Sequence, residues 1–179
     1  MVGRVCCLAD SLRQTSGEFV FLDPGVLEDG DLRLVLNTCC GAGSVRQYAP
    51  MYRFDMRRAG EPDAIGRIDL RVGDTDHLVR YAGHIGYRVE PEYRGHRYAA
   101  RSCRLLFGLA LRHGLNPLWI TCDPDNLASR RTCELVGGQL IEIVRVPRND
   151  ELFRLGQTWK CRYRVDLQRV ALALDTGSG

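Results

Sequence analysis

The chain has 179 residues, a formal net charge of +3 and 45% hydrophobic residues, which suits one domain whose core needs no disulfide or metal staples. A balance of +3 argues against a protein that coats nucleic acid, which shows as a strongly basic chain, and no apolar stretch approaches a membrane span. Of the 25 lysines and arginines all but Lys160 are arginine, a bias that codon usage explains unless some of the guanidiniums grip phosphate or carboxylate.

In chain order, Phe19 to Leu22 is a short apolar run closed by the turn signature Asp23-Pro24-Gly25. Leu32, Leu34 and Leu36 alternate with Arg33 and Val35 and predict a half-buried strand, followed by a small-residue loop from Cys39 to Ser44. Tyr52, Phe54 and Met56 alternate with charged residues. After a Gly/Pro/Asp turn at Ala59 to Asp63, Ile68 and Leu70 do the same within Ile65 to Val72. These two segments predict a hairpin. His84 to Val89 is a third strand, stopped by Pro91. The period then changes. Ala99, Cys103, Leu106, Phe107 and Ala110 recur at helical spacing, so Tyr98 to Arg112 is an amphipathic helix ended by Gly114. Leu118 to Cys122 suits a buried strand. Asn126 to Val136 is a second helix with Gly137-Gly138 at its end, and Leu140 to Val146 and Trp159 to Leu167 are two final strands. The order predicts an α/β (α+β) fold, a mixed and mostly antiparallel sheet with flanking helices.

The eight cysteines contain no Cys-x-x-Cys pair, and the vicinal pairs Cys6-Cys7 and Cys39-Cys40 are poorly placed for ordinary disulfides. No spacing suits a metal site; Cys122-Asp123-Pro124-Asp125 reads better as a strand-to-helix turn. The run Val5 to Ala9 is too short for a signal peptide. The expectation is a cytoplasmic protein with reduced thiols and no metal.

The segment Val89-Glu90-Pro91-Glu92-Tyr93-Arg94-Gly95-His96-Arg97-Tyr98-Ala99 carries the chemistry. A strand ends, a basic loop with a glycine follows, and a helix opens. Free N–H groups and the positive dipole end of that helix make a cradle for phosphate. Neither a Walker A loop nor a dinucleotide-binding glycine fingerprint is present.

Arg94-Gly95-His96-Arg97-Tyr98-Ala99 resembles the pyrophosphate loop of the GNAT family of N-acetyltransferases, Gln/Arg-x-x-Gly-x-Gly/Ala, with the family's Val-x-Pro habit at Val89 and Pro91 just ahead of it. Asp125-Asn126-Leu127-Ala128-Ser129 resembles the family's Asn-x-x-Ala/Ser helix opening, with Gly137-Gly138 where that helix ends. Order and spacing agree over roughly residues 50 to 167. There are departures: Glu92 stands at the first loop position, Arg97 at the middle glycine, and Cys133 where many relatives carry a tyrosine that protonates the departing thiolate. Little room remains between the Leu32–Leu36 strand and Tyr52 for the two helices that usually wall the acceptor site. Either Phe19 to Leu22 is the first strand, or that wall is reduced and the N-terminal 30 residues replace it.

The resemblance implies one domain over 1–179, with an atypical part at 1–50, a core at 51–167 and a tail at 168–179. It implies acetyl transfer from acetyl-CoA to a primary amine by direct attack in a ternary complex; the alternative is a catalytically degenerate CoA-binding or regulatory module. The CoA-binding set would be Tyr87, Val89, Arg94, Gly95, His96, Arg97, Tyr98, Ala99, Asn126 and Ser129, with Arg101 and Arg104 as further phosphate partners. Asn126 and Ser129 also suit helix capping. Catalytic candidates are His84, whose free pKa suits a base at neutral pH, Glu90 as a second base, and Cys133 or Tyr98 as acid. Each has a plain reading beside it: a packed histidine, a strand-end carboxylate, a buried helix thiol. Asp55, Asp69 and Glu142 are candidates to receive a cationic amine. The implied partners are acetyl-CoA and an amine acceptor, with no nucleic acid and no membrane, in a monomer or homodimer.

Overall fold

The period-2 segments form one eight-stranded sheet in the computed structural model, which describes residues 19–41 and 49–170. The vicinal pair Cys6-Cys7, the Val5 to Ala9 run and the tail beyond residue 170 lie outside the described residues. The strands are β1 (Glu28–Asp29), β2 (Leu32–Cys40), β3 (Met51–Arg58), β4 (Ala64–Arg71), β5 (Ile85–Val89), β6 (Leu118–Cys122), β7 (Gln139–Arg145) and β8 (Trp159–Val165). Their spatial order is β1-β2-β3-β4-β5-β6-β8-β7, and every neighbouring pair is antiparallel except β5 and β6. The expected mixed, mostly antiparallel sheet is present.

Pairing register decides which side chains share a face. Leu36 opposes Phe54, Phe54 opposes Ile68, and Ile68 opposes Tyr87. This row faces the two long helices, α1 (Tyr98–Arg112) and α2 (Leu127–Leu135). Tyr52, Phe54, Met56, Ile65 and Ile68 are fully buried there against Cys103, Leu106 and Ala110 of α1. The opposite row runs Arg53, Asp69, Gly86 and continues through Thr121 and Arg162. Among the described residues neither long helix lies on that face. The connection from β4 to β5, with a π-helical turn at Leu78–Ala82, folds over its β6–β8 end: Thr121 donates to the Tyr81 carbonyl and Arg162 to that of Val79.

Two sequence expectations change. Cys39 and Cys40 belong to β2 and not to a loop, because they continue the ladder opposite Tyr52 and Met51. Phe19 to Leu22 is not a strand. Phe19 stacks on His113, Phe21 packs edge-on against Tyr52, and the Leu22 N–H donates to the Tyr52 hydroxyl at 2.6 Å. This segment clamps the C-terminal end of α1. With β2 as the first long strand, only residues 41–50 link it to β3, too few for two helices. No helix among the described residues is long and apolar enough to cross a membrane.

The mouth of α1 is tied to the first hairpin. The Tyr98 hydroxyl donates to Asp31 Oδ2 at 2.8 Å, and Arg101 reaches Asp31 Oδ1 and Asp29 Oδ2, each at 2.7 Å. The bonds from Tyr98 and Arg101 hold the Asp31 carboxyl down at about 2. A depressed folded-state pKa stabilises above the ordinary carboxylate value of about 4, and that contribution is lost as pH falls towards 2. Thermal melts between pH 5 and pH 2 check this: wild type should lose more of its Tm over that window than Asp31→Asn, and parallel curves would show that Asp31 is not coupled to folding.

Candidate active site

β5 and β6 are held in register only at Ile85 and Ile120. Beyond that pair β5 stays with β4 as far as Val89, while β6 stays with β8 as far as Cys122. The strands therefore part towards their C-terminal ends. The Arg71 N–H donates to the His84 carbonyl and the Glu90 N–H to that of Ile65. In an antiparallel ladder this points the backbone groups of alternate residues, Tyr87 and Val89, the other way, into the gap. The Val89 carbonyl accepts the Arg94 Nε–H at 3.0 Å.

A cavity of about 550 Å³ opens at this gap, between the end of β5, residues 93–97 and the first turns of α1 and α2. Its chemistry follows from how α1 begins. Arg97 precedes the helix with φ 60° and ψ 17°, a left-handed conformation, and the first backbone bond of the helix is Arg101 N–H to the Arg97 carbonyl. The N–H groups of the first turn are thus left without helical partners. Gly95 also has a positive φ, 87°, with no atom near the place of a Cβ. The family pattern has glycine at position 97; here arginine takes the turn glycine would favour, at a cost of about 1 kcal/mol, and sets a guanidinium on the cavity wall.

Of the predicted CoA-binding set, Tyr87, Val89, Arg94, Gly95, Arg97, Tyr98, Ala99, Asn126 and Ser129 line this one cavity, and His96 does not. Asn126 caps α2, accepting the Ser129 N–H at 3.0 Å. The Ser129 hydroxyl meets the Tyr87 hydroxyl at 2.7 Å across the cavity floor. Burial, with the Cys103 and Cys133 thiols nearby, raises the Tyr87 pKa, so the phenol keeps its proton. Sequence reasoning missed Ala128, Arg131, Thr132 and Leu135 on the same wall. Their spacing of three, four and seven residues, one face of a helix, was the available signal.

The other candidates sit elsewhere. His84 is only 2% exposed: its Nε2 bonds the Gly73 carbonyl at 2.9 Å and its Nδ1 accepts the Trp119 N–H at 2.9 Å. Burial lowers its pKa, and no ring nitrogen is left for a substrate proton. It does not line the cavity. Glu90 lies just past β5, 3.6 Å from Arg88, outside the lining. Cys133 is fully buried behind the wall; its bond to Cys122 and its burial push the thiol pKa far up. Cys103 beside it is pushed up to about 12 by burial. The Tyr98 hydroxyl is committed to Asp31.

Arg101 is held by Asp29 and Asp31, and Arg104 by the Leu135 carbonyl, so neither is free for phosphate. The three carboxylates considered for an amine are also paired. Asp69 takes a bidentate pair from Arg53 at 2.8 and 3.1 Å, Asp55 meets Asn37 and Arg57, and Glu142 meets Arg162. Asp123, in the strand-to-helix turn, binds Lys160 at 2.7 Å. Among the described residues no three His, Cys, Asp or Glu side chains converge as a metal set.

Comparison with known proteins accords with this geometry. No curated protein matches the chain. Among solved structures, an acetyltransferase (GNAT family) from Bacillus anthracis is 19% identical over 65% of this chain and 66% of its own, with a TM-score of 0.51. A ribosomal-protein-S5-alanine acetyltransferase from Vibrio fischeri is 15% identical over 65% and 61%, with a TM-score of 0.51. AAC(6')-Ib in complex with ribostamycin and coenzyme A is 18% identical over 66% and 65%, with a TM-score of 0.50. The chain thus spans slightly less than two thirds of each of these proteins, and at such identities the likeness is one of fold. The sequence itself matches the family described as acetyltransferase (GNAT) domain over residues 18–139. That match covers more than half of the chain, which therefore belongs to the GNAT acetyltransferase family.

Proposed function

We propose that the chain is an acetyl-CoA-dependent N-acetyltransferase that moves the acetyl group to a primary amine by direct attack in a ternary complex. The observation that carries this reading is the single cavity that joins an anion-binding helix mouth to the parting of β5 and β6. A nucleotide with a long, amide-bearing thioester arm needs both ends at once.

Open N–H groups at the start of α1, with Arg94 and Arg97, meet the pyrophosphate. The backbone edges of Tyr87 and Val89 receive the arm as a further strand would be received, and a backbone N–H in the gap polarises the thioester carbonyl. The amine must arrive as a free base, and water serves as well as a side chain to take its proton. The departing thiolate needs a proton, and the Ser129 hydroxyl, 2.7 Å from that of Tyr87 in the cavity lining, is the donor this reading assigns. Cys133, at the family's tyrosine position, lies behind that wall. The relatives support an amine acceptor: one is named for a ribosomal protein's alanine, another was solved with ribostamycin and coenzyme A.

Titration calorimetry with acetyl-CoA, beside a thiol-release assay on a panel of small amines and peptides, tests the reading. Binding with turnover is expected. Binding with no thiol release on any acceptor would return the catalytically degenerate module, and no binding would overturn both. Arg94→Ala with Arg97→Ala should weaken acetyl-CoA binding about 100-fold or more, at roughly 1.5–3 kcal/mol for each of two charged hydrogen bonds; an unchanged Kd would remove the loop assignment. Arg97→Gly should lose the guanidinium contact yet raise Tm above that of Arg97→Ala, because glycine accepts the left-handed turn. Ser129→Ala should lower kcat about 100-fold with acetyl-CoA affinity kept within a few-fold, in the range of acid–base contributions, and an unchanged kcat would assign the proton to solvent.

A further inference from the structure

The cofactor cavity lies on the helix-bearing face of the sheet, and the strands part through the sheet. An attacking amine therefore has the opposite face to approach from, and the residue at the parting on that face is Gly86. Gly86 is ordinary extended backbone. A Cβ there would meet Arg71 Nη1 at 3.0 Å and Nη2 at 3.1 Å. The Arg71 guanidinium is thus laid over the strand at the gap, and the missing side chain is what lets it lie there.

Its charge is not matched. Among the described residues the one carboxylate within 4.0 Å of Arg71 is Asp69, at 3.8 Å from Nη2. Both oxygens of Asp69 already hold the nearer, bidentate guanidinium of Arg53. Among the described residues Arg71 makes one long hydrogen bond, from Nη1 to the Gly83 carbonyl at 3.3 Å. The trio Arg53, Asp69 and Arg71 carries a net charge of +1. Burial works against this charge and lowers the Arg71 pKa from the arginine value, although its side chain stays 28% exposed. A half-buried, underbonded guanidinium of this kind is a receptor for a planar anion. A net charge of +1 beside Asp69 suits a monoanion; a phosphate dianion would meet the Asp69 carboxylate at close range.

We propose that Arg71, over Gly86 on the face opposite the cofactor cavity, binds a carboxylate that the acceptor carries close to its amine. The inference rests on the transferase reading above and narrows its substrate class to amino acids, or to peptides with an acidic residue next to the N-terminus.

The test uses the full chain with acetyl-CoA. One arm compares glycine, β-alanine and γ-aminobutyrate with their carboxamides. The other compares the tripeptide amide Ser-Asp-Ala with Ser-Asn-Ala. In at least one arm wild type should prefer the carboxylate by about 10- to 100-fold in kcat/KM, the range of a charged hydrogen bond. Arg71→Gln should reduce the preference to under about threefold and Arg71→Lys should restore part of it, with the Kd for acetyl-CoA unchanged. The arm that responds names the source of the carboxylate. Equal use of carboxylates and amides by wild type, or a preference that survives Arg71→Gln, overturns the proposal. If nothing turns over, the transferase reading has failed; the subsite is then judged by calorimetry of N-acetylglycine and N-acetyl-β-alanine against their amides on the CoA-bound protein. Carboxylate binding lost in Arg71→Gln and in Gly86→Ala supports it, and no carboxylate binding overturns it.

Discussion

The single parallel contact at Ile85 and Ile120 is the constraint on which the site depends. The sheet is two antiparallel pieces, β1–β5 and β6–β8, each closed by its own ladder. As ladders they share that one pair, flanked by the bonds between His84 and Trp119, and beyond it they are joined by the crossover through α1 and by the β4–β5 connection that bonds Thr121 and Arg162. Each ladder keeps hold of its strand at the gap: Glu90 is still bonded to Ile65 on one side, and Cys122 still faces Cys161 on the other. The strands cannot both satisfy these partners and stay together. The cost is a row of backbone groups on β5 with no strand to receive them. Buried backbone polar groups need partners, so the gap suits the amide-bearing arm proposed for it.

Much of this was legible in the sequence because both signals are periodic. Alternation at Tyr52–Met56 and at Ile68–Leu70 gave β3 and β4, and the change to helical spacing after Tyr98 gave α1. The loop and helix-opening motifs gave the α1 side of the cavity wall and the start of α2, but not Arg131, Thr132 and Leu135 further along α2. What the sequence could not carry were facts fixed by register and by distant partners. His84 looked like a base because histidine titrates near neutrality, yet the fold fills both its nitrogens from Gly73 and Trp119. Arg101 is one turn into the helix from a phosphate loop, and only the folded chain brings Asp29 and Asp31 to it. Cys133 occupies a family catalytic position, but its depth behind Thr132 cannot be read from spacing.

The arginine bias divides along the same line. Many guanidiniums close carboxylate pairs that hold the sheet: Arg53 on Asp69, Arg101 on the first hairpin, and Arg162 on Glu142 while it stacks over the Trp119 ring at 4.3 Å. Such pairs at partly exposed positions contribute little each; their larger effect is to fix which groups remain uncommitted. Arg94 and Arg97 remain at one side of the gap and Arg71 at the other, so positive charge brackets the sheet where the strands part.

The bonds from Tyr98 and Arg101 to Asp31 set the pose of α1 from outside the cavity. The helix mouth is indexed against a hairpin that contributes no atom to the cavity lining. Substitutions around residues 28–31 therefore reach the anion cradle through Tyr98 and Arg101 without replacing a residue of the cavity wall. The hairpin works as an alignment screw, and the distance between the helix mouth and the strand gap is adjusted from there.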